Sequence, residues 1–358
     1  MTSFTGEVRI VGAGLLGTSI GLALTKQGID VAISSKSTKS VDLAVSYGAG
    51  RAVSEDDSPK LIVVCVPPQL TPQIVAEELI AFPDAIVTDV ASVKVGILAE
   101  LERLGAPVER YVGSHPMAGR ERGGAIAGRA DLFVGRPWVI TPNANSDDSG
   151  IKLVTDLAKA LESSVVTVSP KDHDRAVALV SHVPQLVSSL LAARLVDARN
   201  DDVALAGQGL RDTTRIAASD PDLWVQILSA NSAEVLQVLE SLSADLATVI
   251  GALNNLDSEK SIAQLRHALE AGNIGVEKIP GKHGTKHSTY AQIIVMIDDQ
   301  PGELARLLTE VGEIGINLEE LKLEHSPSAQ IGLVELYVVP SAEAVLIADL
   351  QKRGWRIA

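Results

Sequence analysis

The chain has 358 residues, of which 46% are hydrophobic, and this length and composition suit two or three domains with separate cores. Its formal net charge of -14 argues against a nucleic-acid or anionic-membrane partner, because neither phosphate backbones nor acidic lipids attract an acidic protein. The single cysteine, Cys65, excludes an internal disulfide and a thiolate metal cage, and its apolar surroundings are typical of a core position.

Neither a membrane span nor an export signal is expected. The apolar stretches are expected to fall short of the roughly 20 uncharged residues that a span requires. The N-terminus lacks the basic and apolar blocks of a signal peptide. A cytoplasmic protein is therefore predicted.

Residues 7–170 alternate short β-branched runs with helical patterns, which predicts βαβ units that form a parallel sheet. Strands are predicted at residues 8–11, 30–34, 61–66, 85–90, 111–113 and 138–141. The predicted fold class is therefore α/β here, with a Rossmann-type domain over residues 1–170.

A glycine-rich segment, Gly12-Ala13-Gly14-Leu15-Leu16-Gly17, follows the first predicted strand and precedes an apolar helix. Its glycines permit a tight turn, close approach of a pyrophosphate and close packing of helix on strand, while the helix N-terminus offers free N–H groups. This context predicts dinucleotide binding by Gly12, Gly14, Leu15, Leu16 and Gly17, against the alternative of a glycine-rich turn.

The residues after the second predicted strand bear on the choice of cofactor. An acid there would bind the ribose hydroxyls of NAD. The sequence instead has Ser34-Ser35-Lys36-Ser37-Thr38-Lys39, whose hydroxyl and ammonium groups suit a ribose phosphate, so NADP+ is favoured over NAD+. The alternative is an ordinary solvated loop. Val66 and Pro67 end the next apolar strand and are expected to line the cofactor cleft.

Candidate substrate-binding groups end the following strand, in the segment Asp89-Val90-Ala91-Ser92-Val93-Lys94. Ser92 is predicted to hydrogen-bond the substrate or cofactor, and Lys94 to neutralise a carboxylate. Alternatively, Ser92 caps a helix that starts near Val93. The two roles of Ser92 are compatible.

His115 is the principal candidate for a catalytic base. It lies in Gly113-Ser114-His115-Pro116-Met117-Ala118-Gly119, which predicts a glycine-bounded loop because Pro116 biases the preceding residue away from helix. Imidazole is the side chain whose ordinary pKa lies nearest neutrality. The alternative is a capping or surface histidine. Because the segment follows a strand, His115 is expected to share a crevice with the glycine-rich segment.

Residues 171–272 have helical spacing almost throughout, which predicts an all-helical domain. His173 and His182 are nine residues apart, so a regular helix would point them to opposite faces, and no metal site is expected. A role for Asp174 beyond favouring the helix dipole stays open. Pro184 is expected to distort the helix.

Arg211 and Arg215 are four residues apart and are expected on one helical face. An arginine holds a carboxylate through two hydrogen bonds. In an acidic chain this pair is the expected docking site for an anionic substrate, and a surface ion pair with Asp212 is the alternative.

The C-terminal part is predicted to be a separate domain. Glycine, proline and lysine interrupt every pattern at residues 273–288, which predicts a linker. Residues 289–358 then show the order strand, helix, strand, strand, helix, with 355–357 as a candidate final strand. This order is typical of a small α+β domain.

Taken together, these motifs resemble those of the prephenate and arogenate dehydrogenases of tyrosine biosynthesis, over essentially the whole chain. The glycine-rich segment, a D-x-x-S-V-K segment from Asp89 and an H-P-M-A-G segment from His115 follow the order of that family. Three segments of the helical domain also match, namely His173-Asp174, Ser181-His182-Val183-Pro184 and Thr214-Arg215-Ile216-Ala217.

The resemblance implies an NAD(P)+-dependent oxidative decarboxylation of prephenate to 4-hydroxyphenylpyruvate, or of arogenate to tyrosine. It implies that His115 accepts the proton of the ring hydroxyl while hydride leaves the same carbon. Ser92 would orient that histidine, and Arg215 would hold a substrate carboxylate. Prephenate is the main prediction and arogenate the alternative.

Further substrate contacts are implied for His182 and Gln185. Many family members have a second histidine where this chain has Gln185, which leaves the choice of substrate open. Glu121 is expected to pair with Arg211 or Arg215 as a gate.

The resemblance also bears on assembly and regulation. The family's helical domains interlock, so a homodimer through the apolar residues of 221–253 is expected, with an internal bundle as the alternative. The terminal domain resembles an ACT domain, in which the effector-binding positions would be Asp299, Pro301, Gly302 and Asn317. Tyrosine is the expected effector, against a dimerisation module without a ligand.

Two other functions stay open. A 3-hydroxy acid dehydrogenase of similar architecture would not need His115. A non-catalytic sensor would bind NADP and an amino acid without turnover. Turnover with prephenate or arogenate distinguishes all three.

Overall fold

The computed structural model describes residues 6–119, 123–279, 290–325 and 331–358. The chain divides into two compact units, Met1–Leu242 and Ser243–Ala358. Each unit has its own sheet and its own buried apolar cluster. The division falls within one continuous helix, Ser232–Leu253.

An eight-stranded sheet forms the centre of the first unit. Its strands are β1 (Val8–Val11), β2 (Val31–Ser34), β3 (Arg51–Ala52), β4 (Leu61–Val64), β5 (Ile86–Asp89), β6 (Tyr111–Pro116), β7 (Pro137–Thr141) and β8 (Ser164–Thr167). The order is β3-β2-β1-β4-β5-β6-β7-β8, and all neighbours are parallel except β6 and β7. The first six strands have the order of a Rossmann fold, which confirms the predicted fold class.

The six strands expected from the sequence are present, and β3 and β8 are additional. β3 has only two residues, and three of the four residues of β8 are exposed. β3 is too short to give a sequence pattern, whereas β8 contains β-branched residues that the sequence prediction missed. The antiparallel pairing of β6 with β7 is a second difference from the expected parallel sheet.

Helices cover both faces of the sheet. They are α1 (Leu15–Thr25), α2 (Thr38–Ser46), α3 (Thr71–Ala81), α4 (Val95–Arg103) and α5 (Asp148–Ala160). One apolar cluster includes Ile10 and Ile33, and another includes Ile62 and Leu79. Because both faces are covered, every residue of β4 is buried, which accounts for its uninterrupted apolar run.

Two glycines allow α1 to pack closely on the sheet. Gly12 has a φ of +118°, and a Cβ there would lie 2.3 Å from the carbonyl oxygen of Cys65. A Cβ on Gly17 would lie 2.0 Å from the carbonyl oxygen of Gly12. Gly14 differs, because a Cβ there would meet no atom within 4 Å. Gly12 and Gly17 are therefore required by packing, whereas Gly14 faces open space.

Helices follow the sheet in the rest of the first unit, and the last of them, α11, continues into the second unit. They are α6 (Pro170–Val177), α7 (Val183–Ala193), α8 (Asn200–Val203), α9 (Gln208–Thr214), α10 (Pro221–Ala230) and α11 (Ser232–Leu253). A π-helical turn, Ala178–His182, joins α6 to α7. Pro184 lies in the first turn of α7, where a missing N–H is tolerated, so the expected distortion is present just before the proline.

Two helical stretches differ from the expectation about membrane spans. Pro170–Ala193 and Ser232–Leu253 are long and apolar enough to cross a membrane by length and composition alone. The sequence estimate missed them because polar residues interrupt their apolar runs, whereas charged residues are few. The first stretch contains His173 and Asp174, both buried in the first unit.

The second unit contains α12 (Glu259–Glu277) and a four-stranded antiparallel sheet with two helices. The elements of the sheet domain are β9 (Ala291–Asp298), α13 (Glu303–Ile314), β10 (Glu320–His325), β11 (Ile331–Val338), α14 (Glu343–Lys352) and β12 (Arg356–Ile357). The strand order is β10-β11-β9-β12, as in ferredoxin-like folds. The predicted small α+β domain is therefore confirmed, and the candidate final strand is present as β12.

The predicted start of the linker is wrong. Residues 273–277 belong to α12, which is continuous through Gly272 and Gly275. Single glycines are tolerated inside a helix at a cost of about 1 kcal/mol each, so their presence did not end this one. Residues 280–289, the rest of the predicted linker, lie outside the described residues.

Gly17→Ala is expected to destabilise the first unit by about 1–3 kcal/mol, because the added methyl group forces α1 away from the strand. Gly14→Ala is the matched control and is expected to change stability by less than about 0.5 kcal/mol. Urea unfolding followed by circular dichroism measures both. Equal losses in the two variants would contradict the packing argument.

Candidate active site

One cavity of about 800 Å³ opens in the first unit at the carboxyl end of β1 and β4. Its walls include the start of α1, the segment after β5, the end of β6 and parts of the helical region. Open parallel sheets bind ligands at this edge. The cavity is large enough for a substrate together with part of a dinucleotide.

The start of α1 forms the part of the wall suited to a pyrophosphate. Gly14, Leu15 and Leu16 line the cavity, and Gly14 is the N-cap residue without a side chain to occupy the helix end. The first turn of α1 contains no acidic residue that would oppose an anion. The open space at Gly14 and the free N–H groups of this turn fit a dinucleotide phosphate.

His115 lies in a strand, and the predicted loop is therefore wrong at this position. β6 continues through Pro116, and His115 pairs with Val139 of β7. The sequence did not show this pairing because it depends on a strand more than twenty residues away. The result places the imidazole on a fixed backbone at the cavity wall.

A hydrogen-bonded chain runs from His115 away from the cavity. The Nδ1 atom of His115 lies 2.9 Å from Nε2 of His173, and Nδ1 of His173 lies 2.7 Å from Oδ1 of Asp174. The two carboxylate oxygens of Asp174 also accept the backbone N–H groups of Lys94 and Val95, each at 2.8 Å. His115 is therefore held at one nitrogen, while its other nitrogen is not part of this chain.

Burial lowers the pKa of His115 well below its usual value, and the nearby His173, Lys94 and His182 lower it further. The imidazole is consequently neutral at neutral pH. A neutral imidazole has a lone pair that accepts a proton, as a general base requires.

His182 is a second imidazole in the wall of the cavity. It is 1% exposed, and burial lowers its pKa to about 4. Its Nδ1 atom lies 3.2 Å from Nδ2 of Asn231, while its buried Nε2 has no hydrogen-bond partner among the described residues. An unpaired buried nitrogen in a cavity wall is a candidate contact for a ligand.

Gln185 and Ser219 connect two segments of the helical region at the cavity. Nε2 of Gln185 donates to Oγ of Ser219 at 2.6 Å, and both residues line the cavity. Arg215, also in the lining, begins the 3-10 turn that follows α9. Arginine is a side chain that can hold a carboxylate through two hydrogen bonds.

Behind the wall lies a buried ion pair between Lys94 and Asp89. The Lys94 ammonium donates to both Asp89 oxygens and, at 2.7 Å, to the carbonyl oxygen of Ser114. Tyr111 donates to Asp89 at 2.6 Å. Burial lowers the pKa of Lys94, and the Asp89 carboxylate opposes this. The cluster fixes the end of β5 against β6 beside His115.

Two consecutive parts of the chain match family models that describe parts of the same enzyme. Residues 20–167 match the prephenate dehydrogenase nucleotide-binding domain, and residues 169–269 match the prephenate dehydrogenase dimerization domain. The chain belongs to the prephenate dehydrogenase family. Members of this family are pyridine-nucleotide-dependent oxidoreductases, so the chain is an enzyme of that class.

Similar proteins extend over most of the chain. The probable prephenate dehydrogenase NovF of Streptomyces niveus is 35% identical and covers 97% of this chain and 98% of its own length. The cyclohexadienyl dehydrogenase of Zymomonas mobilis is 30% identical, over 76% of this chain and 96% of its own.

Solved structures support the same family. The Aquifex aeolicus prephenate dehydrogenase in complex with hydroxyphenyl propionate and NAD+ is 28% identical, with a TM-score of 0.66, over 76% of this chain and 99% of its own. The Synechocystis arogenate dehydrogenase is 27% identical, with a TM-score of 0.62, over 75% and 99% of the two chains.

For this member of the prephenate dehydrogenase family, the structure brings many of the predicted site residues to one cavity. They are Gly14, Leu15, Leu16, Val66, Pro67, Ser92, His115, His182, Gln185 and Arg215. Gly12 and Gly17 lie beneath the turn, where they serve packing. Ser34 ends β2, Ser35 and Lys36 follow it, and none of the three lines the cavity.

Two predictions about the site need revision. Lys94 cannot meet a substrate carboxylate, because it is 1% exposed and its ammonium is held by Asp89. Arg211, in α9, does not line the cavity that Arg215 lines.

Two expectations about neighbouring residues also changed. Ser92 does not cap a helix, because α4 begins at Val95 with Lys94 as its N-cap, and Ser92 instead lines the cavity. Cys65, expected in the core, lies in the cavity wall, where burial raises its pKa and keeps the thiol protonated. Glu121, the expected gate partner of Arg215, lies outside the described residues.

The sequence missed His173 as a partner of His115. Its prediction of opposite faces for His173 and His182 is wrong, because the π turn between them inserts about one extra residue, or about 100° of rotation. The nine-residue separation then gives the rotation of about eight residues of a regular α-helix, which leaves the two side chains about 80° apart around the helix axis. A His-Asp pair at a helix start was the only available signal. Among the described residues, no group of three His, Cys, Asp or Glu side chains is arranged to hold a metal ion.

The residues predicted to bind an effector lie in the second unit. Asp299 and Pro301 are in the loop between β9 and α13, and Gly302 is the N-cap of α13 with a φ of +95°. Asn317 precedes β10 and donates to Glu319 at 3.1 Å. These side chains are exposed.

Lys94→Met is expected to cost about 3–5 kcal/mol of stability, because it leaves the Asp89 carboxylate buried without its cation. The matched control is Lys152→Met, which removes an ion pair to Asp156 from a lysine that is 70% exposed. It is expected to cost less than about 1 kcal/mol. Urea unfolding measures the free energy of unfolding of both variants. Similar losses would contradict the claim that the buried ion pair stabilises the protein more than the exposed one.

Proposed function

We propose that this chain catalyses the oxidative decarboxylation of prephenate to 4-hydroxyphenylpyruvate with NAD(P)+. The observation that carries the proposal is that one cavity is bordered by the start of α1, by the neutral imidazole of His115 and by Arg215. These supply a dinucleotide site, a base and a carboxylate site, and the reaction needs little more.

When bound, the cofactor accepts hydride from the ring carbon that carries the hydroxyl group. His115 removes the proton of that hydroxyl through Nε2, the nitrogen not bonded to His173. The ring carboxylate then leaves as CO2, and its bonding electrons complete the aromatic ring. Aromatisation makes the step irreversible, so the residues of the chain chiefly have to orient the substrate.

Substrate binding is assigned to the helical wall of the cavity. Arg215 would hold one carboxylate by a charge-assisted hydrogen bond. His182, with its unpaired buried Nε2, and Gln185 would contact the polar side chain of the substrate. Ser92 lies in the opposite wall, where it would orient the hydroxyl group or His115.

Arogenate is the second candidate substrate, and the neutral side chain of Gln185 is compatible with it. The buried amide of Gln185 is neutral and engaged with Ser219, so it does not repel the ammonium group that distinguishes arogenate from prephenate. A solved relative is an arogenate dehydrogenase. Both substrates would therefore be tested.

NADP+ is proposed as the preferred cofactor. β2 ends at Ser34 and is followed by Ser35 and Lys36, without a carboxylate to bind the ribose hydroxyls. Lys36 is exposed and available to a ribose phosphate. The relative solved with NAD+ shows that another member of the family binds the other cofactor.

The remaining proposals concern assembly, regulation and location. The dimerization domain supports a homodimer through the exposed apolar side chains of α11, such as Leu246 and Ile250. Residues 289–358 are proposed to be an ACT domain that binds tyrosine near Asp299 and Asn317, after the helical domain that ends near residue 272. A cytoplasmic location fits a small-molecule oxidoreductase whose single cysteine is a free thiol.

Purified protein is expected to reduce NAD(P)+ when prephenate is added, as followed by the absorbance of the reduced nicotinamide. His115→Asn is expected to lower kcat by about 10²–10⁴-fold with cofactor affinity unchanged, because only proton removal is lost. His267→Asn, at an exposed position of α12, is the matched control and should retain activity. No reduction with either prephenate or arogenate would reject the proposal.

Lys36→Gln is expected to raise the KM for NADP+ by about tenfold or more, because one charge-assisted hydrogen bond is lost. The KM for NAD+ should stay within about twofold, since NAD+ has no ribose phosphate for the lysine to meet. Lys26→Gln, at the exposed end of α1, is the control for a general loss of positive charge. Parallel increases for both cofactors would refute the NADP+ assignment.

A further inference from the structure

We infer that Asp174 fixes the proton positions of both cavity imidazoles, so that His115 presents a hydrogen-bond acceptor and His182 presents a donor. The side chain of Asp174 acts on His115 through His173, and its backbone carbonyl acts on His182 through Asn231. The mechanistic value of this arrangement rests on the proposed function, in which His115 is the base. Asp174 is thus a positioning residue that does not touch the substrate.

Two series of contacts, here called arms, lead from Asp174 to the two imidazoles, and the first arm begins at the Asp174 carboxylate. Its two oxygens accept backbone N–H groups at the start of α4, at 2.8 Å each, so the group acts only as an acceptor. Nδ1 of His173 must then donate the proton in its 2.7 Å contact with Asp174. A neutral His173 with its proton on Nδ1 has a lone pair on Nε2.

That lone pair determines the tautomer of His115. The contact between Nε2 of His173 and Nδ1 of His115 is 2.9 Å, and two lone pairs at this distance would repel each other. Nδ1 of His115 therefore carries the proton, and its Nε2 keeps the lone pair that accepts a proton from a substrate. After that transfer the imidazolium charge can be shared along the chain toward Asp174.

The second arm begins at the backbone carbonyl of Asp174. This oxygen cannot donate, so the Asn231 atom that lies 2.8 Å from it must be the amide nitrogen, which fixes the orientation of that side chain. The same nitrogen lies 3.2 Å from Nδ1 of His182. Nδ1 of His182 consequently accepts, and a neutral His182 carries its proton on Nε2.

The two arms give the imidazoles opposite roles. His182 offers an N–H donor from the cavity wall, suited to a carboxylate or keto oxygen, whereas His115 offers a lone pair suited to a hydroxyl proton. Exchange of the two tautomers would set N–H against N–H at Asn231 and lone pair against lone pair at His173. One residue thereby prevents the base and the donor from exchanging functions.

The test is a two-bond 1H–15N spectrum of the full chain, labelled only in its histidine side chains and recorded at neutral pH. The three ring systems are assigned by loss of signal in His115→Asn, His173→Gln and His182→Asn. The expected spectrum shows protons on Nδ1 of His115 and His173 and on Nε2 of His182. A His115 with its proton on Nε2, or a His173 imidazolium that donates to it, would overturn the inference. This spectrum needs no substrate, so it stands or fails separately from the proposed reaction.

Asp174→Asn supplies the functional readout. It is expected to leave His115 as a mixture of tautomers and to lower kcat by about 10²-fold or more, with KM within about threefold, because a base with the wrong tautomer is misdirected while the substrate contacts remain. Asp172→Asn is the matched control, since Asp172 is exposed on the same helix and contacts neither imidazole. An unchanged His115 spectrum in a folded Asp174→Asn protein would refute the first arm.

Asn231→Asp tests the second arm separately. The new carboxylate cannot donate to Nδ1 of His182, so His182 is expected to lose its pure Nε2–H form while the signals of His115 and His173 stay as in the original protein. KM is then expected to rise by about tenfold or more, because a donor to the substrate is lost. If Asn231→Asp fails to fold, the spectrum of the unaltered protein still decides the tautomer of His182.

Discussion

The carboxylate of Asp174 at the start of α4 is the interaction on which the site depends. It joins the helical region to the sheet, since its two oxygens accept backbone N–H groups from Lys94 and Val95, about eighty residues earlier in the chain. The same contact satisfies N–H groups that a helix start leaves unpaired. Without it, the two walls of the cavity would have no fixed register, and His115 on the sheet would not meet His173 on α6.

Lys94 stands at the centre of this junction in two ways. Its backbone N–H donates a hydrogen bond to Asp174, whereas its buried ammonium donates to Asp89 and to the carbonyl oxygen of Ser114. The second contact fixes the residue that precedes His115 in β6. Local charge compensation of this kind lets an acidic protein keep a buried cation beside the His115 imidazole.

The sequence predicted the features that depend on local geometry. The strand, glycine turn and helix at Gly12–Gly17 were recognisable because each requirement lies within a dozen residues, and the ferredoxin-like order of the second unit followed from alternation and turns. The features that it missed depend on distant partners. The strand at His115 needs β7, the burial of Lys94 needs the fold of β5 against β6, and the contact of His173 with His115 needs the docking of α6.

Helical periodicity failed for a different reason. A constant 3.6 residues per turn does not hold between His173 and His182, because a single π turn changes that number, and the proline that follows is its only mark in the sequence. Likewise Gly272 and Gly275 were read as chain breakers although α12 contains them. In both cases tertiary structure overrides a local conformational preference. For a glycine inside a helix, that preference amounts to only about 1 kcal/mol of free energy.

The inserted residue in Ala178–His182 has a consequence for the tolerance of this helix to changes in length. A deletion of one amino acid from this turn would yield a regular and intrinsically better hydrogen-bonded helix, yet it would swing every downstream side chain by about 100° and remove His182 from the cavity. Insertions and deletions are usually harmless only in loops. The number of residues between His173 and His182 therefore determines the geometry of the cavity wall as much as their identity does.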